Sequence, residues 1–294
     1  GNVNAPALNI VPTWGQPASD NLLAADNNEA ITPITPIGRL AAITGSEVKD
    51  YLEKVKAFEG IQKNPASKNG WQKTTLHLIG SNDEAIVAPI KAYMQGWENT
   101  LSDTLVGAKV YTYARNNPNT SQANQEILNH IKTGAGIISY FGHSSATSLD
   151  FNLNKPEELD ITPGHLPVLI ANGCKASEFF DLNTLRYNQT RLTLSEKFVL
   201  SKNSGSIAFL SSTTVGILQY LDIFSSKWYT AAATTQYGKS IGEIHKEAIR
   251  LMQLQSNDQP TRLTAEEFHL HGDPAIRIHT QVKPDYAINS DDIV

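Results

Sequence analysis

Two side chains stand where acyl-transfer chemistry could be done. Cys174, the sole cysteine, follows PVLIANG (167–173), and His143 follows GIISYFG (136–142). Both preceding runs are apolar enough to be buried strands. Cysteine is a nucleophile as thiolate, and a neighbouring imidazole stabilises that anion and later protonates the leaving group. A lone cysteine also forms no intramolecular disulfide and no multi-cysteine metal site. The competing reading is a small buried hydrophobe. Against it, Gly173 and Lys175 mark a strand exit and not a strand interior.

For the two groups to meet, both strands must end at the same edge of one sheet. TTLHLIG (74–80), AKVYTYA (108–114), GIISYFG, PVLIANG and SGSIAFLSS (204–212) read as strands, and IGRLAAIT (37–44) as a further short one. Between them lie helical patterns: SEVKDYLEKVKAFEG with Val48, Leu52, Val55 and Phe58 at helical spacing, EAIVAPIKAYMQGW, SQANQEILNHIKTG, TLSEKFVLSK and SIGEIHKEAIRLMQL. Thr193 to Glu196 forms a capping-box pattern, and Ser240 caps the last helix. Near-continuous apolar strands alternating with helices predict a three-layer α/β fold around a mainly parallel sheet buried on both faces. In such sheets ligands collect beyond the carboxyl ends of the strands, where His143 and Cys174 stand.

Composition excludes several classes. The 294 residues carry 24 basic and 29 acidic side chains, a net charge of −5 without a basic block, so neither nucleic-acid binding nor a basic membrane-binding face is indicated. No apolar run approaches the roughly 18 residues that span a bilayer, and residues 1–30 lack a signal-peptide pattern. Residues 1–72 read as an N-terminal segment and remnant of a preceding subdomain, with a polar connector at 61–72. Residues 73–282 read as the catalytic domain, and 283–294 as a linker to a following domain.

The pattern of an apolar strand ending in Gly-His and a later one ending in Cys resembles the caspase-like cysteine peptidases. More narrowly, IGRLAAIT, HLIGSNDEA, ISYFGHSSATSLDFNL, LPVLIANGCKASEFF, SGSIAFLSSTT and HGDPAIRI occur in the order of the gingipain family, peptidase family C25. The resemblance implies a caspase/gingipain-like αβα fold, with Cys174 as nucleophile and His143 as general acid/base. Glu84 falls where the family has an acid that orients the histidine, with Asp83 as the adjacent rival. The oxyanion would be held by the main-chain N–H groups of Cys174 and Ser144. Gingipains have Gly where this chain has Ser144 and Ala where it has Gly173; the GHSS and NGC forms are more similar to the PorU-type, sortase-like branch of the type IX secretion system. That branch implies a cysteine peptidase or transpeptidase cleaving the C-terminal signals of secreted proteins at the bacterial outer-membrane surface. The alternative is a catalytically weak C25-like component that binds secretion substrates. The implied partners are a protein or peptide substrate and secretion-system proteins. No cofactor is required, and a structural calcium ion is compatible with the resemblance.

Other residues draw the eye. His269, His271 and His279 have types and spacing a metal site could use, but the resemblance places them at a terminal Gly-Asp-Pro turn and strand, with Asp273 bonding local backbone. His77 reads as a core histidine, and Tyr220, Trp228 and Tyr229 as core aromatics. Asn119 and Asn188 fit the glycosylation pattern. STTVGIL reads as part of the substrate wall. Asp150, Asp160, Glu178 and Asp181 lie in loops that could receive a basic substrate side chain.

Overall fold

The computed structural model describes residues 13–26, 31–63, 70–115, 120–180 and 192–279. The expected linker at 283–294, Asn119, Asn188 and Asp181 lie outside them. Helix α1 spans Gly45–Lys63, followed by β1 (Thr74–Gly80), α2 (Glu84–Ser102), β2 (Lys109–Ala114), α3 (Thr120–Thr133), β3 (Ile137–Gly142) and β4 (Val168–Asn172). Then come α4 (Leu194–Leu200), β5 (Ala208–Ser212), α5 (Leu218–Thr230), α6 (Ile241–Gln255), α7 (Gln259–Glu267) and β6 (Phe268–Gly272). The strands form one sheet in the order β2-β1-β3-β4-β5-β6, parallel except for β6, which runs antiparallel to β5.

Chain direction in the sheet reverses once. From β1 the chain steps outward to β2 and then returns to the far side of β1 as β3. Right-handed crossovers in opposite directions put α2 and α3 on opposite faces, and the point of reversal between β1 and β3 is where such sheets open a crevice. On one face α2 packs on α5, which packs on α6 and α7; on the other α1 packs on α4. Coverage on both sides explains why β1, β3, β4 and β5 are almost wholly buried, whereas the edge strand β2, KVYTYA, is largely exposed. Under α2 and α5, Trp97 stacks on Phe141 at 5.7 Å and on Tyr229 at 5.3 Å. His77 sits edge-on to that cluster with Nε2 3.1 Å from the Tyr229 hydroxyl, and burial drops its pKa to about 3, so it is a neutral core histidine. Trp228 and Tyr229 are fully buried, as expected.

Two local expectations are corrected. Residues 37–44 form no strand: they run beside β6 with one bridge, Arg39 opposite His271, made by Arg39 N–H to Leu270 O and Gly272 N–H to Arg39 O. There the pairing stops because the next donor, Ala41 N–H, is taken by the His271 ring at 3.0 Å. In α1 the buried face is Tyr51, Lys54 and Phe58, while Val48 and Leu52 are each 48% exposed. Lys54 is buried there with its Nζ donating to the carbonyls of Phe198 and Val199 at 3.2 and 3.0 Å, at the carboxyl end of α4, and burial lowers its pKa to about 7. Tyr51 adds a second tie, donating to Ile207 O at 2.9 Å.

The N-terminal stretch is bound to the same sheet. Asp20 pairs with Arg39 at 2.6 Å, and Asn21 Nδ2 donates to Ala265 O and Phe268 O at 2.9 and 3.0 Å. Within this network His269 Nε2 lies 2.9 Å from Ala18 O and 3.1 Å from Asp20 N. His279 stacks on Tyr237 at 5.6 Å. Among the described residues no three His, Cys, Asp or Glu side chains are grouped to hold a metal; His269 instead ties the N-terminal stretch to β6. Asp273 accepts from Ala275 N at 2.8 Å, closing the local turn.

Candidate active site

The register of β3 and β4 puts residues 143 and 174 at corresponding positions beyond two adjacent strands. Their last paired residues are Phe141 and Asn172. Two residues further along each strand stand His143 and Cys174, at corresponding positions on adjacent tips. The β1 tip is on the other side of β3, with Gly80 opposite Gly142, and the loop from β5 closes the row beyond β4.

Cys174 sits on a sharp turn. Lys175 has φ 62, a left-handed conformation that costs a non-glycine residue about 1–2 kcal/mol and has to be held by its surroundings. It is held: Lys175 N–H donates to Thr214 O at 2.8 Å and Ser177 N–H to Ser212 O at 3.1 Å. The half-buried thiol lies 3.9 Å from Gly216 O, its partner in the β5 loop. On either side of Gly216, Val215 and Ile217 are 61% and 52% exposed, which gives the expected wall an apolar surface beside the sulfur.

His143 is exposed on a loop with rigid anchors. Its N–H donates to Gly80 O at 3.2 Å, and its carbonyl accepts from Asp150 N–H at 2.9 Å and from the Tyr140 hydroxyl. Tyr140 reaches that carbonyl because residue 80 is glycine: a Cβ there would overlap the phenol. In the sequence Tyr140 carries only a weak signal, an aromatic with a polar end two residues before a strand tip.

The two expected oxyanion donors are available. Ser144 and Leu149 face each other in an antiparallel bridge whose bonds come from the flanking residues, Ser145 N–H to Ser148 O and Asp150 N–H to His143 O. Ser144 therefore turns its own N–H out of the ladder. Neither Ser144 N–H nor Cys174 N–H has an acceptor among the described residues. Main-chain N–H groups without an acceptor are the kind of donor a developing oxyanion requires.

Asp83 and Glu84 are separated by their local roles. Asp83 is the N-cap of α2, its carboxylate accepting from Ala85 N–H at 3.0 Å, whereas Glu84 is the exposed first residue of that helix. Of the four acids that could receive a basic substrate side chain, the three described ones are paired. Asp150 pairs with Arg115, Glu178 with Lys175 at 2.8 Å, and Asp160 with Lys132 at 2.7 Å. Asp160 is moreover at the wrong end: Lys132 is in the last turn of α3, which leads into the amino end of β3. A cleft of about 320 Å³ lies at the β2 tip, lined by Tyr113, Arg115, Ile127, Leu149, Asp150 and Phe151 among others. It shares Asp150 with the anchor of His143.

The fold has counterparts among known proteins. Among solved structures the chain is similar to the Arg-specific cysteine proteinase gingipain R, with 15% identity and a TM-score of 0.71, covering 92% of this chain and 62% of that one. It is also similar to the complex of Porphyromonas gingivalis RgpB pro- and mature domains, at 14% identity and 0.69, covering 92% and 63%. A third structure, described as a protease, matches at 16% and 0.65, covering 88% and 59%. The chain thus spans about three fifths of the length of these structures, and at such identities the likeness is one of fold. No curated protein matches the sequence. The profile of peptidase family C25 matches residues 1–279, and the chain belongs to that family of cysteine peptidases.

Proposed function

We propose that this chain is a cysteine peptidase or transpeptidase of the sortase-like, PorU type, with Cys174 as nucleophile and His143 as general acid/base. The observation that carries the reading is the β3–β4 register, which sets residues 143 and 174 side by side beyond the last pair, Phe141 and Asn172. In the first half-reaction the imidazole takes the thiol proton and the sulfur bonds the substrate carbonyl carbon. The carbonyl π pair becomes an oxyanion between the N–H groups of Cys174 and Ser144. Collapse breaks the C–N bond, the leaving amine takes the proton from the imidazolium, and a thioester remains. Water or an acceptor amine then resolves it, giving hydrolysis or transpeptidation. Glu84 orients the imidazole.

Because the imidazole protonates the leaving amine, the released C-terminal piece extends toward His143 and the cleft at the β2 tip. The acyl side faces Val215 and Ile217. The pairing of Asp150 and Glu178 with cations argues against recognition of a basic side chain by either of them. An apolar wall beside acids that are already paired suits a segment presented by a larger protein, and the reading takes that segment to be a C-terminal secretion signal at the outer-membrane surface. Among the described residues no helix is long and apolar enough to cross a membrane.

The test is incubation of the protein with a substrate carrying a type IX C-terminal signal, alongside a positional peptide library. Removal of the signal by the wild type and not by Cys174→Ala supports the reading. Rapid library cleavage with a sharp preference for arginine or lysine would replace it with a digestive protease. Signal binding without turnover would replace it with a binding component.

A further inference from the structure

Three features of the nucleophile's surroundings take no part in the half-reactions above: the hydroxyl of Ser144, the hydroxyl of Ser212, and the absence of a side chain at Gly173. Ser144 Oγ donates to Cys174 O at 2.8 Å, and Ser212 Oγ donates to Gly173 O at 2.6 Å. With Lys175 N–H bonded to Thr214 O at 2.8 Å, the carbonyls on both sides of the nucleophile are tied down, and Cys174 N–H is left without an acceptor among the described residues. A peptide unit is planar, so fixing the Gly173 carbonyl fixes the direction of the Cys174 N–H across the same bond.

Gly173 completes the arrangement. A Cβ at residue 173 would overlap Ser144 Oγ and stand 2.8 Å from Gly142 O. The serine hydroxyl thus occupies the space that a side chain at 173 would take, so the residues at 144 and 173 are matched in size across the two strand tips. Ser212 is fully buried at the end of β5, where a strand-end serine has no packing advantage over alanine.

We propose that Ser144 and Ser212 are positioning residues that clamp the two peptides flanking Cys174, aiming its N–H at the oxyanion and joining the β3 and β5 loops to the nucleophile. This rests on the reading of Cys174 as nucleophile. Each hydroxyl acts by preorganisation: a donor fixed before charge develops costs no reorientation during the reaction. Neither serine hydroxyl touches substrate.

The experiment compares wild type, Cys174→Ala, Ser144→Ala, Ser212→Ala and both serine changes together, with thermal denaturation run in parallel. Two probes separate orientation from thiol reactivity. A peptide aldehyde adds the sulfur to its carbonyl carbon and places the resulting oxyanion at the donors; iodoacetamide alkylates the same sulfur with loss of iodide and needs no oxyanion site. Each serine variant should bind the aldehyde about tenfold more weakly, a difference of about 1.4 kcal/mol, and lose a similar factor in kcat with KM little changed, while iodoacetamide alkylation stays at the wild-type rate. Gly173→Ala should be more damaging, and adding Ser144→Gly should recover part of the loss, the Gly142 O contact preventing full recovery. Serine variants with wild-type aldehyde affinity and kcat would overturn the clamp while leaving the nucleophile intact. Equal slowing of alkylation and aldehyde binding would reduce the serines to general structural support and also overturn it. Activity in Cys174→Ala would overturn the nucleophile reading itself.

Discussion

Glu267 offers a perturbation whose size follows from its surroundings. It is the last residue of α7 and only 3% exposed, and burial alone pushes its carboxyl up to about 8 from an ordinary 4.5. Between those values the folded protein holds a proton that the unfolded chain has released, so stability is full below pH 4.5 and falls as pH rises toward 8. The slope for one such group is about 1.4 kcal/mol per pH unit, and over about 3.5 units the loss reaches about 5 kcal/mol as a ceiling. Glu267→Gln keeps the shape and removes the titration. Urea denaturation of both proteins at pH 4.5, 6 and 8 should show near-equal stability at the lowest pH and a growing advantage for the variant. The Glu267 carbonyl also accepts Thr213 N–H at 3.0 Å, at the root of the loop that carries Gly216. A stability difference that stays constant from pH 4.5 to 8 would refute the reasoning, since every other titrating group is shared by the two proteins.

Other perturbations bear on the site and the core. Glu84→Gln should slow turnover without abolishing it, whereas Asp83→Asn, which keeps a good N-cap, should leave turnover and melting temperature unchanged; the reverse result in peptide-cleavage assays would move the orienting role to Asp83. Tyr140→Phe removes the hydroxyl that holds the His143 carbonyl and receives Asp150 N–H at 3.1 Å, and should cost about 1 kcal/mol in stability and about tenfold in kcat, read by denaturation and steady-state kinetics. His77, His245 and His279 are buried with pKa values lowered to about 3, 3 and 4. Each stays neutral while its unfolded counterpart gains a proton below pH 6.5, so stability should fall as pH drops from 6.5 toward those values, and His77→Gln should shallow that fall in a pH series of melting curves.

Much of the architecture was legible because the buried strands have no polar alternation: TTLHLIG, IISYF, VLIAN and AFLSS stand out as apolar runs, and the capping boxes opened by Thr193 and Ser240 place the starts of α4 and α6. The edge residues were less so. IGRLAAIT has strand composition, yet the His271 ring takes a donor that a strand would need. Helical spacing picks out Phe58 in α1 but not Lys54, whose burial rests on two carbonyl partners in α4, a tertiary arrangement that periodicity does not encode. His143 and Cys174 stand out in the sequence because each directly follows an apolar run ending in glycine. The pairing of Asp150, Asp160 and Glu178 is not legible locally, because the partners of the first two lie far along the chain, Arg115 after β2 and Lys132 in α3, and Glu178 pairs with Lys175 only through the turn between them. Ser212 and Tyr140 stayed hidden for the same reason: their partners are main-chain carbonyls.

The claim that Cys174 and His143 act together is tested most directly by intact-protein and peptide-mapping mass spectrometry after treatment with a peptidyl halomethyl ketone near neutral pH. The account predicts one adduct per chain, mapped to Cys174, absent in Cys174→Ala and formed far more slowly in His143→Ala at unchanged melting temperature. An adduct formed on Cys174 at the same rate with and without the His143 imidazole, or one mapped to another residue, would contradict it.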